Sequence, residues 1–170
     1  SLSWTDNSTN EDSYIIERSE VVPQVWSEID TLSSNTVNFI DSNILEGRNY
    51  TYRVKVTNSF LDIDTIYSNE TTVISLIKNP AGLVGKADQL GQINLSWTDN
   101  SNGENGFNIE RTLGEVEPFV YTVVGTVGPN ITTYDDFGIE EGVIYAYRIN
   151  AFTEFISSNN SNVMSLRSKA

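Results

Sequence analysis

The 170-residue sequence contains no cysteine and no histidine, only one methionine and four prolines. Those absences exclude much chemistry. Without cysteine there is no disulfide framework and no thiolate nucleophile, and without either residue the usual zinc sites and the Ser-His-Asp arrangement are gone. Missing disulfides do not exclude export, because a domain of about 90 residues is large enough to fold on core burial alone.

Basic side chains are also scarce. Ten Lys and Arg stand against twenty-three Asp and Glu, for a net charge of −13. The imbalance is shared, with twelve acidic and five basic residues in 1–78 and eleven and five in 79–170. No row of cations is available to neutralise phosphates, so neither nucleic acid nor an anionic membrane is expected as a partner. An acidic surface serves solubility instead. No stretch approaches the roughly eighteen consecutive apolar residues of a membrane span. The polar start, Ser1 to Asn10, lacks the charged and apolar segments of a signal peptide. Neither membrane insertion nor an intact leader is expected.

What the sequence does contain is a repeated phrase. LSWTDNSTNEDSYIIER begins at Leu2 and LSWTDNSNGENGFNIER at Leu95, 93 positions later. Aligning Trp4 with Trp97 gives eleven identities over the eighteen residues starting at Ser1 and at Asn94. The similarity continues: Glu46-Gly47 precedes Tyr50-Thr51-Tyr52-Arg53-Val54 as Glu141-Gly142 precedes Tyr145-Ala146-Tyr147-Arg148-Ile149. Further on, Tyr67-Ser68-Asn69-Glu70 is matched to Ser157-Ser158-Asn159-Asn160. A period of about 90 residues is a whole domain, not a solenoid repeat. Two domains are predicted, residues 1–78 and 79–170.

Apolar residues recur at alternate positions, the period of a strand whose successive side chains face opposite ways. Leu2/Trp4, Tyr14/Ile16 and Tyr50/Tyr52/Val54/Val56 mark the first copy, and Ile93/Leu95/Trp97, Phe107/Ile109 and Tyr145/Tyr147/Ile149/Ala151 the second. Clusters of Asn, Asp, Ser and Gly between them favour turns. Neither copy carries a long helical pattern. Short strands at this spacing imply antiparallel β-sandwiches.

Each copy pairs an early Trp with a later Gly turn and a Tyr that opens a Tyr-x-Tyr-Arg strand. This resembles the tyrosine corner of immunoglobulin-like sandwiches, with Tyr50 and Tyr145 in that role and Trp4 and Trp97 in the core. With LSWTDNS, the IER strand endings at Ile16–Arg18 and Ile109–Arg111, EGxxYxYR and Tyr67-Ser68-Asn69-Glu70, both halves resemble fibronectin type III domains of the bacterial extracellular sort. The pattern departs from the family where Glu46 and Glu141 stand in place of a proline before the turn glycine, and where Ser157 replaces the tyrosine of the YSNE phrase. The resemblance implies an all-β fold of two tandem immunoglobulin-like sandwiches.

In the second copy a segment from Pro80 to Leu90 precedes the Trp97 strand and supplies the first strand, A. The first copy begins at its Trp4 strand, so its A strand is expected to be lacking and one sheet edge open to any strand that fits. A window cut from a longer array and an edge filled by a neighbouring subunit both account for this.

Oxygen-rich loops provide a calcium candidate at Asp99, Asn100, Asn102 and Glu104, since calcium takes six to eight oxygen ligands. The spacing departs from the EF-hand loop, and a polar turn explains the same residues. No cofactor is expected. Asp135-Asp136 and Glu140-Glu141 pair carboxylates, but neighbours on a strand face opposite ways and do not converge on one substrate. Trp26 and Tyr121 are candidate aromatics for stacking on sugar rings; the alternative is that they cover their own sandwich. Phe119, Phe152 and Phe155 add apolar surface near loops. Asn-x-Ser/Thr acceptors fall at Asn7, Asn49, Asn69, Asn94, Asn130 and Asn159. No nucleophile–base constellation appears, so an enzyme is not expected. The leading expectation is a non-catalytic, secreted or cell-surface structural module: spacer, adhesion stalk or filament subunit. Its partners would be neighbouring domains of the same kind, identical subunits, a carbohydrate or a surface protein. The alternative is an accessory region of a larger secreted glycosidase or protease.

Overall fold

The computed structural model describes residues 1–20, 24–59, 66–114 and 118–170. These residues form strands and no helix, and divide into two compact units, Ser1–Ser75 and Leu76–Ala170. The division falls ahead of residue 78 because Ile77 is buried in the second core.

The first unit contains β1 (Leu2–Ser3), β2 (Ser13–Glu20), β3 (Ser27–Ser33), β4 (Asn38–Phe39), β5 (Asn49–Thr57), β6 (Ile66–Tyr67) and β7 (Thr71–Ile74). One sheet runs β3-β2-β5, with β6 and β7 both pairing along the far side of β5. The other is a short antiparallel ladder of β1 and β4, Leu2 opposite Phe39.

The second unit contains β8 (Ala81–Gln89), β9 (Gln92–Thr98), β10 (Gly106–Leu113), β11 (Thr122–Val127), β12 (Thr133–Phe137), β13 (Ile144–Phe152) and β14 (Met164–Arg167). Its sheets run β11-β10-β13-β14 and β12-β9-β8. β8 is the A strand, antiparallel to β9 with Gly85 opposite Leu95. The first unit has no counterpart to β8 among the described residues.

Alternation buries one face of the central strands, such as β2, β5, β9, β10 and β13. Tyr14, Ile16, Tyr50, Tyr52 and Val54 form the first core, with Leu2, Trp4 and Phe39 half-buried around it. The second core is larger, and the corresponding Leu95 and Trp97 are 2% and 6% exposed. Leu83 of β8 lies in that core at 2% exposure. The Gly of each EG turn has a mechanical reason: Gly47 and Gly142 adopt φ of 63° and 72°, a left-handed backbone that side chains with a Cβ rarely take.

Candidate functional site

The polar groups of both units build the same features twice. Tyr50 is 1% exposed and its hydroxyl accepts the Leu45 N–H at 2.9 Å; the Tyr145 hydroxyl accepts the Glu140 N–H at 3.2 Å. Each phenol therefore ties the strand to the turn five residues earlier. Tyr145→Phe is expected to cost about 1 kcal/mol, the net worth of one such bond, measurable as a lower urea midpoint for the second unit.

Behind each corner sits a partly buried ion pair. Arg18 donates to Asp41 at 2.8 Å, and the Tyr52 hydroxyl donates to the same carboxylate at 3.0 Å. In the second unit Arg111 and the Tyr147 hydroxyl each donate to Asp136 at 2.8 Å. Arg18 also lies over the Tyr50 ring at 5.0 Å and Arg111 over the Tyr145 ring at 5.2 Å. Of the adjacent carboxylates, Asp136 points inward while Asp135 accepts a bond from the Asn94 side chain on the opposite face. They do not converge.

The loops carrying the calcium candidates are closed by their own backbone. Asp99 accepts the N–H and hydroxyl of Ser101, and Glu104, 7% exposed, accepts the Ser101 hydroxyl at 2.8 Å and the Asn130 N–H at 3.1 Å. Asn100 donates to the Asn79 carbonyl, and Asn102 is exposed. The first unit repeats the latch: Asp6 accepts the Ser8 N–H, and Glu11 the Asn35 N–H at 3.0 Å. Asn35 and Asn130 take φ of 60° and 59°, which asparagine tolerates. Among the described residues no group of three or more His, Cys, Asp or Glu is placed to hold a metal ion.

Trp26 and Tyr121 each meet an arginine. The Arg53 guanidinium lies between the Trp26 and Tyr67 rings, 4.1 and 3.8 Å from their centroids, and is bonded to Glu17 at 2.6 Å. Arg148 lies 4.0 Å from the Tyr121 centroid and pairs with Glu110. Phe119 and Phe155 are exposed, and Phe152 is half-buried.

Sequence reasoning passed over the arginine pairs and Asp41, and offered Glu104 as a calcium candidate where the structure has it closing a loop. Their signal was duplication: Arg18/Arg111, Asp41/Asp136 and Glu11/Glu104 are matched pairs in the alignment. It also misplaced one pair. Ser68 accepts the Val54 N–H and donates to the Asn69 carbonyl, and the residues doing this at Ile149 are Ser161 and Asn162. Ser158-Asn159 repeats the pattern at Ala151. So Ser68-Asn69 corresponds to Ser161-Asn162, and Asn160 stands where the first unit has Tyr67.

An open groove of about 1030 Å³ lies in the first unit. It runs between Ser1–Thr5 on one side and Ile66–Asn69, Thr71 and Val73 on the other, with Tyr14, Tyr52, Val54 and Val56 among its lining.

The carboxylates give the fold a pH dependence. Burial pushes the Asp41 carboxyl up, but bonds from Arg18, the Asn43 N–H and Tyr52 outweigh it and hold the group below the ordinary range. For Glu104, burial is likewise outweighed by backbone and Ser101 bonds. A carboxyl lowered in the folded state stabilises above its unfolded value, about 4, and that stability is lost as pH falls through the lower folded value. Thermal midpoints are therefore expected to hold near neutrality and drop below about pH 4, with Asp41→Asn flattening the drop in the first unit.

The architecture is all-β, two units of antiparallel sheets with matched corners. No family model matches the chain, and no curated protein matches it in sequence. Among solved structures the chain is similar to a two fibronectin type-III domain segment from chicken tenascin, with a TM-score of 0.76 at 17% identity, over 98% of this chain and 90% of that one. An Fn3-like protein from Clostridium thermocellum is 28% identical over 55% of this chain and 95% of its own, with a TM-score of 0.46. The chicken CNTN1 FN1-FN3 domains align at 14% identity and a TM-score of 0.49, over 99% of this chain and 59% of theirs. The tenascin likeness carries the fold: two tandem fibronectin type III domains.

Proposed function

We propose that the chain is a non-catalytic structural module of the bacterial extracellular type, a spacer, adhesion stalk or filament subunit in which fibronectin type III domains set distance and position. Its partners are neighbouring domains of the same kind or identical subunits, joined by strand addition at an open sheet edge. One observation carries the reading. The charged constellations are duplicated in both units and turned onto the fold itself: Arg–Asp–Tyr behind each corner, Glu on a backbone N–H, Arg on an aromatic face. A reaction centre gathers groups toward a substrate; these gather toward each other.

The test is mild surface proteolysis of intact source cells, followed by mass and terminal sequencing of the released polypeptide. Release with further copies of the repeat in the same polypeptide is the expected result. Retention inside the cell would sink the extracellular reading, and a catalytic domain in the same polypeptide would replace it with the accessory-region alternative.

A further inference from the structure

We infer that Asn102 is a site of spontaneous covalent modification, where the Gly103 backbone nitrogen converts the side-chain amide through a succinimide to aspartate and isoaspartate. The other Asn-Gly step of the chain, Asn105-Gly106, is held as the amide by the fold. These are the two Asn-Gly dipeptides in 170 residues, and they stand three positions apart in one loop. The first unit has neither: Thr9-Asn10 and Asp12-Ser13 fall at the corresponding positions.

Asparagine is thermolabile because the next residue's backbone nitrogen lies within reach of its side-chain carbonyl carbon. Glycine makes the attack easiest. With no Cβ it neither crowds the nitrogen nor restricts the backbone rotation that aims it. In the reaction the Gly103 nitrogen bonds to Cγ of Asn102, the Cγ–Nδ2 bond breaks, and the proton of the attacking N–H departs with Nδ2 as ammonia. Water then opens the imide ring. Cleavage at Cγ leaves aspartate in the original chain, whereas cleavage at the main-chain carbonyl leaves isoaspartate, with the chain running through Cγ. No oxidant or reductant is needed.

The two steps differ in how firmly the attacking nitrogen is held. Asn102 is exposed in a bend, and among the described residues neither its side chain nor the Gly103 N–H has a hydrogen-bond partner. Rotation there breaks nothing. Gly106 is the first residue of β10, buried and opposite Phe152, and the Asn105 N–H donates to the Phe152 carbonyl at 2.7 Å. A Cβ on Gly106 would lie 2.1 Å from the Val127 carbonyl oxygen, so its backbone is wedged between β11 and β13. Turning its nitrogen toward Asn105 would pull the start of β10 out of the ladder.

Conversion acts on a latch. Glu104 accepts the Ser101 hydroxyl at 2.8 Å and the Asn130 N–H at 3.1 Å, tying this loop to the turn after β11. An isoaspartate at 102 adds one backbone atom between Ser101 and Glu104, and either product adds a negative charge to a loop that already carries Asp99 and Glu104. The Asn130 amide is therefore expected to exchange faster in the modified chain.

The experiment incubates the full folded chain at mildly alkaline and at mildly acidic pH and follows both asparagines by peptide mapping, with isoaspartate scored by enzymatic methylation. Conversion at Asn102 is expected, slower in acid because the attacking species is the deprotonated nitrogen. Asn105 should convert at least about tenfold more slowly, since each backbone hydrogen bond that must open first lowers the reactive population by up to that factor. In urea the two rates should approach each other, which assigns the difference to the fold. Gly103→Ala should slow Asn102 several-fold. Equal rates at the two asparagines in the folded chain, indifference to Gly103→Ala, or conversion of Asn102 only after unfolding would overturn the assignment.

Discussion

Asp136→Ala is expected to destabilise the second unit by about 2–3 kcal/mol, since it leaves the buried Tyr147 hydroxyl without an acceptor and takes the counter-charge from a partly exposed Arg111. The Asp136 side chain is 5% exposed and a single oxygen, Oδ2, serves both Arg111 and Tyr147. Alanine removes the acceptor of both donors, and of the two only Arg111 reaches solvent. The Tyr147 side chain is fully buried, so its hydroxyl has no water to turn to. Asp41→Ala should cost less, because Arg18 keeps a second acceptor in the Asn43 carbonyl at 2.9 Å. Asp136→Asn should fall between, retaining an acceptor for Tyr147 while losing the charge. Urea unfolding monitored separately for the two units checks the order. A cost for Asp136→Ala below about 1 kcal/mol, the level of an exposed ion pair, would mean that the Tyr147 hydroxyl reaches solvent or another acceptor.

The fold was legible in the sequence because the period-two alternation and the turn residues agree, and because the phrase around Trp4 recurs around Trp97. The A strand could be read in the second copy, where Leu83 follows Pro80 at the start of an alternating run. The ion pairs were not legible as a site. Arg18 and Asp41 are separated by 23 positions and meet because β2 and the segment after β4 come together, a tertiary event that no local pattern encodes. The Ser68-Asn69 pairing failed for a different reason. Ser158-Asn159 and Ser161-Asn162 are the same dipeptide three positions apart, both bonded to β13 at alternate residues. Sequence alone cannot choose between them; the hydrogen bond to Val54, the counterpart of Ile149, does.

Trp97→Ala is expected to cost the second unit about 3–5 kcal/mol, the range for truncating a large aromatic in a packed core, and Trp4→Ala clearly less. The two indoles are otherwise closely matched. Trp97 meets Phe107 edge-on at 5.7 Å and 64°, and Trp4 meets Tyr14 at 5.8 Å and 60°. Both indole N–H groups are buried without a partner, so that term cancels between them. What differs is cover. Trp97 is 6% exposed beneath a sheet that includes β8, whereas Trp4 is half-buried and lines the open groove. The hydrophobic contribution scales with area removed from water, so the gap between the two substitutions measures what an A strand contributes. Calorimetry of both variants, with the two units resolved, tests this directly: the Trp4→Ala cost should fall well below that of Trp97→Ala. Equal costs would mean that Trp4 is as well covered as Trp97.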